Sequence, residues 1–172
     1  MDYTIKKYFD SNECSDIINY CMDNGEVFSY NPNENWDCRR IYIKEFKERI
    51  LKNFINEYNS NDFNISLTRY YDGRFLNLHK DRSSHLTTVI VLSENFKDGR
   101  FVVSDKCGND ISDMRTDSDK IHLNIGEGIT FDGSNVYHGV MPVYDGMRCA
   151  LNIWMVDSDY NYSKFKNTKT LL

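Results

Sequence analysis

A run of short apolar segments separated by glycine turns, beginning near residue 63, is the feature that most constrains the fold. Hydrophobic residues in these segments either alternate with polar ones or form brief continuous runs, as in strands that are buried on one or both faces. The predicted strands are residues 65–71, 75–80, 86–92, 100–104, 120–125, 128–131, 139–143 and 147–156. Many short strands joined by glycine-rich turns predict a β-sandwich or β-barrel.

The first 60 residues have helical spacing instead, and we expect them to form a mainly helical support for the strands. Ser11 is a candidate N-cap for a first helix that Gly25 would end. A second helix is predicted over residues 44–58, where the apolar residues form one stripe. The segments 31–40 and 105–119 are polar and lack periodicity, so both are candidate loops for a lid over a substrate site.

Length and composition limit the class of protein. With 172 residues the chain is expected to be one domain, residues 1–172, with a β core at 63–157 and a tail at 158–172. The net charge of −5 argues against a nucleic-acid partner, because phosphate binding needs a basic face. No apolar run resembles a membrane span or a signal peptide, so we expect no membrane partner and a cytoplasmic location. The five cysteines are scattered without a CxxC pair, which favours reduced thiols over a zinc ribbon.

The pair His79 and Asp81 is the first candidate for chemistry. In a strand, residues two apart point to the same face, so an imidazole and a carboxylate at this spacing could bind one metal ion. His138, which follows a Gly-Ser turn, would complete a 2-His-1-carboxylate triad, and that arrangement suits non-heme Fe(II). A His-x-Asp pair also occurs easily by chance, and the alternative is a surface strand with a local hydrogen bond.

A second pattern lies on the last predicted strand. Arg148 follows His138 by ten residues, and Trp154 follows Arg148 by six. The even offset puts Arg148 and Trp154 on one face of that strand. An arginine there suits a dicarboxylate, because its guanidinium pairs with a carboxylate through two hydrogen bonds. The alternatives are a surface ion pair for Arg148 and a core aromatic for Trp154.

Three segments carry these residues in order: RYYDGRFLNLHKD at 69–81, LTTVIVLSENFKDGRF at 86–101 and LNIGEGITFDGSNVYHGVMPVYDGMRCALNIW at 123–154. Together they resemble the Fe(II)/2-oxoglutarate dioxygenases of the prolyl 4-hydroxylase type. The ordered set of HxD, a distal histidine, an arginine and a tryptophan is specific to such enzymes. The chain departs from the family's usual residues at 91–93, Asp98 and Asn124. These departures weaken the assignment to a particular subgroup of the family and leave the metal motif intact.

This resemblance implies a fold and a set of residue roles. The fold class would be α+β and predominantly β, with a double-stranded β-helix (jelly-roll or cupin-like) core and packing helices from the N-terminal part. By resemblance, His79, Asp81 and His138 would bind Fe(II), and with Arg148 they would form the catalytic set. Cosubstrate-binding roles are likewise implied for four residues, of which Arg148 would hold the C5 carboxylate of 2-oxoglutarate: Tyr70, Thr87, Arg148 and Trp154.

The implied reaction is hydroxylation of a C–H bond with O2 and 2-oxoglutarate, which releases succinate and CO2. Ascorbate is a further candidate cofactor. By resemblance, the first candidate substrate is a prolyl residue in a protein or peptide, and a free amino acid or small metabolite is the alternative. A nucleic-acid demethylase is disfavoured, because such enzymes carry a second arginine where this chain has Trp154. A non-enzymatic β-helix binding module is the remaining reading, and the oligomeric state is left open.

Overall fold

The computed structural model describes residues 2–31, 36–40, 48, 50–52, 63–81, 84–108, 111–116 and 118–156. The helices in this part of the chain are α1 (Ser11–Asn24) and α2 (Ile111–Thr116). The strands are β1 (Tyr3–Lys7), β2 (Glu26–Asn31), β3 (Trp36–Arg40), β4 (Phe63–Tyr70), β5 (Leu76–His79), β6 (Ser84–Val91), β7 (Lys97–Asp98), β8 (Phe101–Ser104), β9 (Asp119–Ile121), β10 (Glu127–Phe131), β11 (Tyr137–Val140), β12 (Val143–Tyr144) and β13 (Arg148–Val156).

Two antiparallel sheets face each other. The larger has seven strands in the order β1-β10-β6-β13-β4-β3-β2, and the smaller has four in the order β5-β11-β8-β9. Strands β7 and β12 form a separate pair. Side chains from both sheets pack together in one apolar cluster that includes Val89, Phe101 and Phe131. The structure is therefore mostly β with a double-stranded β-helix core, as expected.

Strand β13 shows how one strand serves two layers. Its odd-numbered residues Cys149, Leu151 and Ile153 pack in a cluster with the buried side of α1. Because successive side chains in a strand point to opposite faces, Arg148, Ala150, Asn152 and Trp154 point to the other face. That face lies between the sheets, where Ala150 joins the apolar cluster. The buried positions on this side include polar residues, which are costly in a core unless they are paired or used.

The N-terminal part, expected to be mainly helical, contributes strands as well as helix α1 in its described residues. Strand β1 pairs with β10 and strand β3 pairs with β4, so this part extends the large sheet on both sides. The segment 31–40, expected to be an irregular loop, instead contains the end of β2 and all of β3; residues 32–35 lie outside the described part. These polar strands lack an apolar alternation, and pairing with neighbouring strands stabilises them instead.

The N-cap of helix α1 lies one residue earlier than the expected Ser11. Asp10 is the N-cap: its side chain accepts a hydrogen bond from the Glu13 backbone, while the Glu13 carboxylate accepts one from the Asp10 backbone. Such a capping box satisfies two backbone donors at once, whereas Ser11 is already helical. The end at Gly25 is confirmed. Most of the helix predicted over 44–58 lies outside the described residues, but residues 48 and 50–52 are helical there.

Three further boundaries differ from the prediction. Helix α2 lies inside the segment 105–119, which was expected to be an irregular loop. Strand β9 ends at Ile121 instead of 125, and the strand expected at 139–143 is divided between β11 and β12. The expected tail at 158–172 lies outside the described residues. No helix in the described part is long and apolar enough to cross a membrane.

The four cysteines whose side chains are described are free thiols, and most of them serve packing. Cys14, Cys21 and Cys149 are fully buried, whereas Cys107 is exposed. Burial raises the pKa of Cys14 and of Cys149 to about 11 and that of Cys21 to about 12. These three thiols therefore stay protonated at neutral pH and behave as small apolar side chains.

Candidate active site

The three residues predicted as metal ligands lie together between the sheets. His79 ends β5, Asp81 follows it by two residues, and His138 on β11 pairs directly with His79 across the small sheet. The two imidazole ring centroids are 4.3 Å apart. Nε2 of His79 is 3.8 Å from Asp81 Oδ1, and Nε2 of His138 is 3.5 Å from Asp81 Oδ2. One ligand atom from each residue lies within 4.8 Å of the other two, close enough to bind one ion.

Backbone contacts determine which imidazole nitrogen is available. Nδ1 of His79 lies 3.0 Å from the Asn77 carbonyl oxygen, and Nδ1 of His138 lies 3.1 Å from the Val136 carbonyl oxygen. A carbonyl oxygen only accepts hydrogen bonds, so each Nδ1 carries the proton and donates it. In the neutral form of each ring, the lone pair is then on Nε2, which faces Asp81.

The protonation of His138 also suits metal binding. Burial, followed by the neighbouring His79, lowers the pKa of His138 to about 4, although the Asp81 carboxylate acts in the opposite direction. His138 is only 4% exposed, so a positive charge there would be poorly solvated. The imidazole is therefore neutral at physiological pH, which is the form that binds metals.

The Asp81 carboxylate is held by two side chains of the large sheet. Thr87 Oγ1 donates to Oδ2 at 2.6 Å, and Trp154 Nε1 donates to the same oxygen at 3.0 Å. Thr87 and Trp154 are direct partners in the pairing of β6 with β13, so their side chains lie side by side. Both residues were predicted to bind the cosubstrate; their described contacts are with Asp81, and the cosubstrate role stays a prediction.

Gly133 lies against this carboxylate and was interpreted from sequence only as part of a turn. Its carbonyl oxygen accepts the Asp81 backbone N–H at 2.8 Å. A Cβ atom at this position would lie 2.1 Å from Thr87 Oγ1 and 2.8 Å from Asp81 Oδ2. Only a residue without a side chain fits there. The neighbouring Asp132 caps the turn by accepting hydrogen bonds from Ser134.

Arg148 supplies a buried positive charge. It is 1% exposed, starts β13 and pairs with Tyr70 on β4; its Cζ lies 5.8 Å from the Tyr70 ring centroid. Among the described residues, neither Nη1 nor Nη2 has a hydrogen-bond partner. Burial lowers the pKa of Arg148, but a guanidinium remains charged at physiological pH. A buried cation with two unpartnered donors fits a bound carboxylate.

A cavity of about 570 Å³ lies next to Arg148. Its volume falls within the usual range for small-molecule sites. Phe101 forms part of its wall, and the Phe101 ring centroid is 6.0 Å from that of His138. The cavity is thus lined both by Arg148 and by Phe101, which is a neighbour of the candidate metal ligand His138.

A polar strip formed by Ser66, Thr68 and Asn152 was not predicted from the sequence. All three are at most 9% exposed. Asn152 Nδ2 donates to Thr68 Oγ1 at 3.0 Å, and the Ser66 hydroxyl has no hydrogen-bond partner within the described chain. Asn152 precedes Trp154 by two residues on β13, so it faces the same side. Asn152 is an even number of residues from Arg148, and this spacing could have placed it on the same face of β13 as Arg148 and Trp154.

Two facing antiparallel sheets with two histidines and a carboxylate between them define the class: a double-stranded β-helix with a 2-His-1-carboxylate site. The family model described as the 2OG-Fe(II) oxygenase superfamily matches residues 65–156, which is more than half of the chain. The chain belongs to this superfamily, and the family implies Fe(II), 2-oxoglutarate and O2. A search of curated proteins finds no significant match.

Solved structures with the same fold include three prolyl hydroxylases. The viral collagen prolyl hydroxylase vCPH from Paramecium Bursaria Chlorella virus-1 is 18% identical, with a TM-score of 0.61 over 88% of this chain and 94% of that one. A Pseudomonas putida prolyl-4-hydroxylase is 14% identical, with a TM-score of 0.65 over 90% and 92%. A Trichoplax adhaerens prolyl hydroxylase, in complex with a hypoxia inducible factor oxygen degradation domain peptide fragment, is 13% identical, with a TM-score of 0.67 over 98% and 87%. At these identities the likeness shows the fold alone.

The residues present fit the groups that the family implies. Two imidazoles and one carboxylate that converge on one point form the donor set that suits Fe(II) with open positions. The unpartnered guanidinium nitrogens of Arg148 fit the distal carboxylate of 2-oxoglutarate.

Proposed function

We propose that this chain is an Fe(II)- and 2-oxoglutarate-dependent hydroxylase in which His79, Asp81 and His138 bind the iron. The observation that carries the proposal is the convergence of their ligand atoms within 4.8 Å, together with the buried, unpartnered guanidinium of Arg148. A retained carboxylate at Asp81 favours hydroxylation, because related halogenases lack it. The intact triad and Arg148 together disfavour a non-enzymatic binding module.

Each side chain has a distinct task in this proposal. Arg148 anchors the C5 carboxylate of 2-oxoglutarate, and Tyr70, its strand partner, lies beside the same cosubstrate. Phe131 packs edge-on against His138 at 4.7 Å between ring centroids and excludes water from that side of the site. When bound, the iron supplies the oxidative chemistry that couples decarboxylation of 2-oxoglutarate to hydroxylation of a C–H bond, with ascorbate as the proposed reductant that keeps it ferrous.

The proposed substrate is a prolyl residue in a protein or peptide. All three structures compared above are prolyl hydroxylases, and one of them is in complex with a peptide fragment. The polar strip offers buried hydrogen-bonding groups next to Trp154, which suits the amide groups of a peptide backbone. A free amino acid or small metabolite is the second candidate, since its polar groups could use the same strip.

The test is an anaerobic titration of the apo protein with Fe(II) and then 2-oxoglutarate, followed by visible absorption. We expect a saturable charge-transfer band that is absent in Asp81→Ala and retained in Asp119→Ala, a matched loss of an exposed carboxylate on β9. Succinate release with proline-containing peptides, compared with free amino acids, then separates the two substrate candidates. A folded, metal-bound protein that gives no band contradicts the proposed function.

A further inference from the structure

The two oxygens of the Asp81 carboxylate are not equivalent. Oδ2 accepts two hydrogen bonds, from Thr87 Oγ1 at 2.6 Å and from Trp154 Nε1 at 3.0 Å. Oδ1 accepts neither of these bonds and lies 3.8 Å from Nε2 of His79. A carboxylate oxygen has two lone pairs. Two donors therefore occupy Oδ2, and Oδ1 is the oxygen that remains for a metal ion.

The large sheet and one turn hold this carboxylate from several sides. Thr87 on β6 and Trp154 on β13 are direct strand partners, so the sheet sets the distance between the two donors. The backbone of Asp81 is fixed separately, since its N–H donates to the carbonyl oxygen of Gly133 at 2.8 Å. Asp81 itself follows the end of β5 and lies outside regular structure. Its orientation therefore depends on these contacts.

We propose that Thr87 and Trp154 are positioning residues that hold Asp81 in its metal-binding orientation before a metal arrives, with Oδ1 as the oxygen offered to the ion. This inference rests on the metal site of the proposed function and adds a role for two residues outside the triad. It also differs from the cosubstrate role predicted for them from the sequence. A positioning role acts on metal affinity in the absence of 2-oxoglutarate, whereas a cosubstrate contact acts only when 2-oxoglutarate is bound.

The test measures Co(II) binding to the apo protein by calorimetry and by the visible d–d absorption of the bound ion. Thr87→Val removes the hydroxyl donor and keeps the shape, and Trp154→Phe removes the indole N–H. Outer contacts of this kind change metal affinity by about 10- to 100-fold, so we expect a loss of that size in each variant. Thr87→Ser keeps a hydroxyl and should restore most of the affinity.

Thr88→Val is the matched control. Thr88 is the residue after Thr87 on β6, so its side chain points to the opposite face of the strand. It is 2% exposed, and its hydroxyl forms a hydrogen bond with Thr130 Oγ1 at 2.8 Å. This variant loses a buried hydroxyl of the same kind, so it should match Thr87→Val in thermal stability while keeping wild-type Co(II) affinity.

The outcomes separate this inference from the proposed function. Wild-type Co(II) affinity in both Thr87→Val and Trp154→Phe overturns the positioning role. An effect confined to 2-oxoglutarate affinity at saturating metal also overturns it and restores the cosubstrate role. A wild-type protein that is folded and binds no Co(II) at the triad instead overturns the proposed function.

Discussion

Replacing Arg148 with methionine should change stability and cosubstrate binding in opposite directions. The guanidinium is 1% exposed, and Nη1 and Nη2 have no hydrogen-bond partner among the described residues. Burying a charge costs several kcal/mol, and replacing buried ionic groups by well-packed apolar ones often stabilises a protein by about 1–4 kcal/mol. We therefore expect apo Arg148→Met to be more stable than the wild type.

The same substitution should nearly abolish 2-oxoglutarate binding. Truncating one partner of a buried, charge-assisted pair costs about 2–5 kcal/mol. Since 1.4 kcal/mol is a factor of ten, this corresponds to a loss of affinity between about 30-fold and several thousand-fold. Metal affinity should stay near the wild-type value, because Arg148 lies on a different strand from the metal triad and contacts Tyr70.

Two assays on the same protein check this. Urea unfolding of the apo protein measures stability, and the anaerobic Fe(II) titration measures the 2-oxoglutarate dissociation constant. Arg100→Met is the matched control, because Arg100 lines the same cavity but is 45% exposed and paired with Asp98. Surface changes of that kind usually stay within about 0.5 kcal/mol. A destabilised Arg148→Met that binds 2-oxoglutarate normally would refute the reasoning on both counts.

Three further predictions concern neighbouring features. Gly133→Ala should weaken Co(II) affinity about tenfold or more, because a Cβ would overlap Thr87 Oγ1; calorimetry with unchanged affinity would contradict this. Ser66→Ala should raise the free energy of unfolding by about 1 kcal/mol, since it removes a buried, unpartnered hydroxyl. A lower free energy of unfolding in urea would contradict this, because it would mean that the hydroxyl makes a stabilising hydrogen bond. Hydrogen bonds from Ser134 hold the pKa of Asp132 below its usual 3.8. The ionised Asp132 carboxylate therefore stabilises the fold above pH 3.8, and this stabilisation is lost as the pH falls through the lower pKa of the folded state. Urea unfolding at a series of acidic pH values should thus show that the free energy of unfolding falls more steeply with pH in the wild type than in Asp132→Ala. Parallel curves of free energy against pH would contradict this prediction.

Local patterns were sufficient for the central strands of the large sheet. Strands β4 and β13 alternate between the two layers, so their periodicity predicted them to within about two residues. Strands β1 and β3 were missed because their residues are polar or charged and gain their stability from pairing with β10 and β4. Such pairing joins distant parts of the chain and leaves no local pattern.

The metal triad was accessible from sequence, and its surroundings were not. His79 and Asp81 are two residues apart, and the structure brings both together with His138, although Asp81 lies just beyond the end of β5. The contact of Gly133 with Thr87 depends on where a turn meets the end of a strand, which no spacing rule states. Thr87 was identified from the sequence as a cosubstrate contact, which stays a prediction, whereas its hydrogen bond to Asp81 was not anticipated.

The hydrogen bond between Trp154 and Asp81 also makes the protein its own optical reporter. The chain has two tryptophans, Trp36 and Trp154, and the indole of Trp154 donates directly to the carboxylate of the candidate metal centre. A Trp36→Phe variant would leave a single emitting indole at the centre. Its emission should be quenched as a paramagnetic ion such as Co(II) fills the site, so metal occupancy could be followed by intrinsic fluorescence without any added dye.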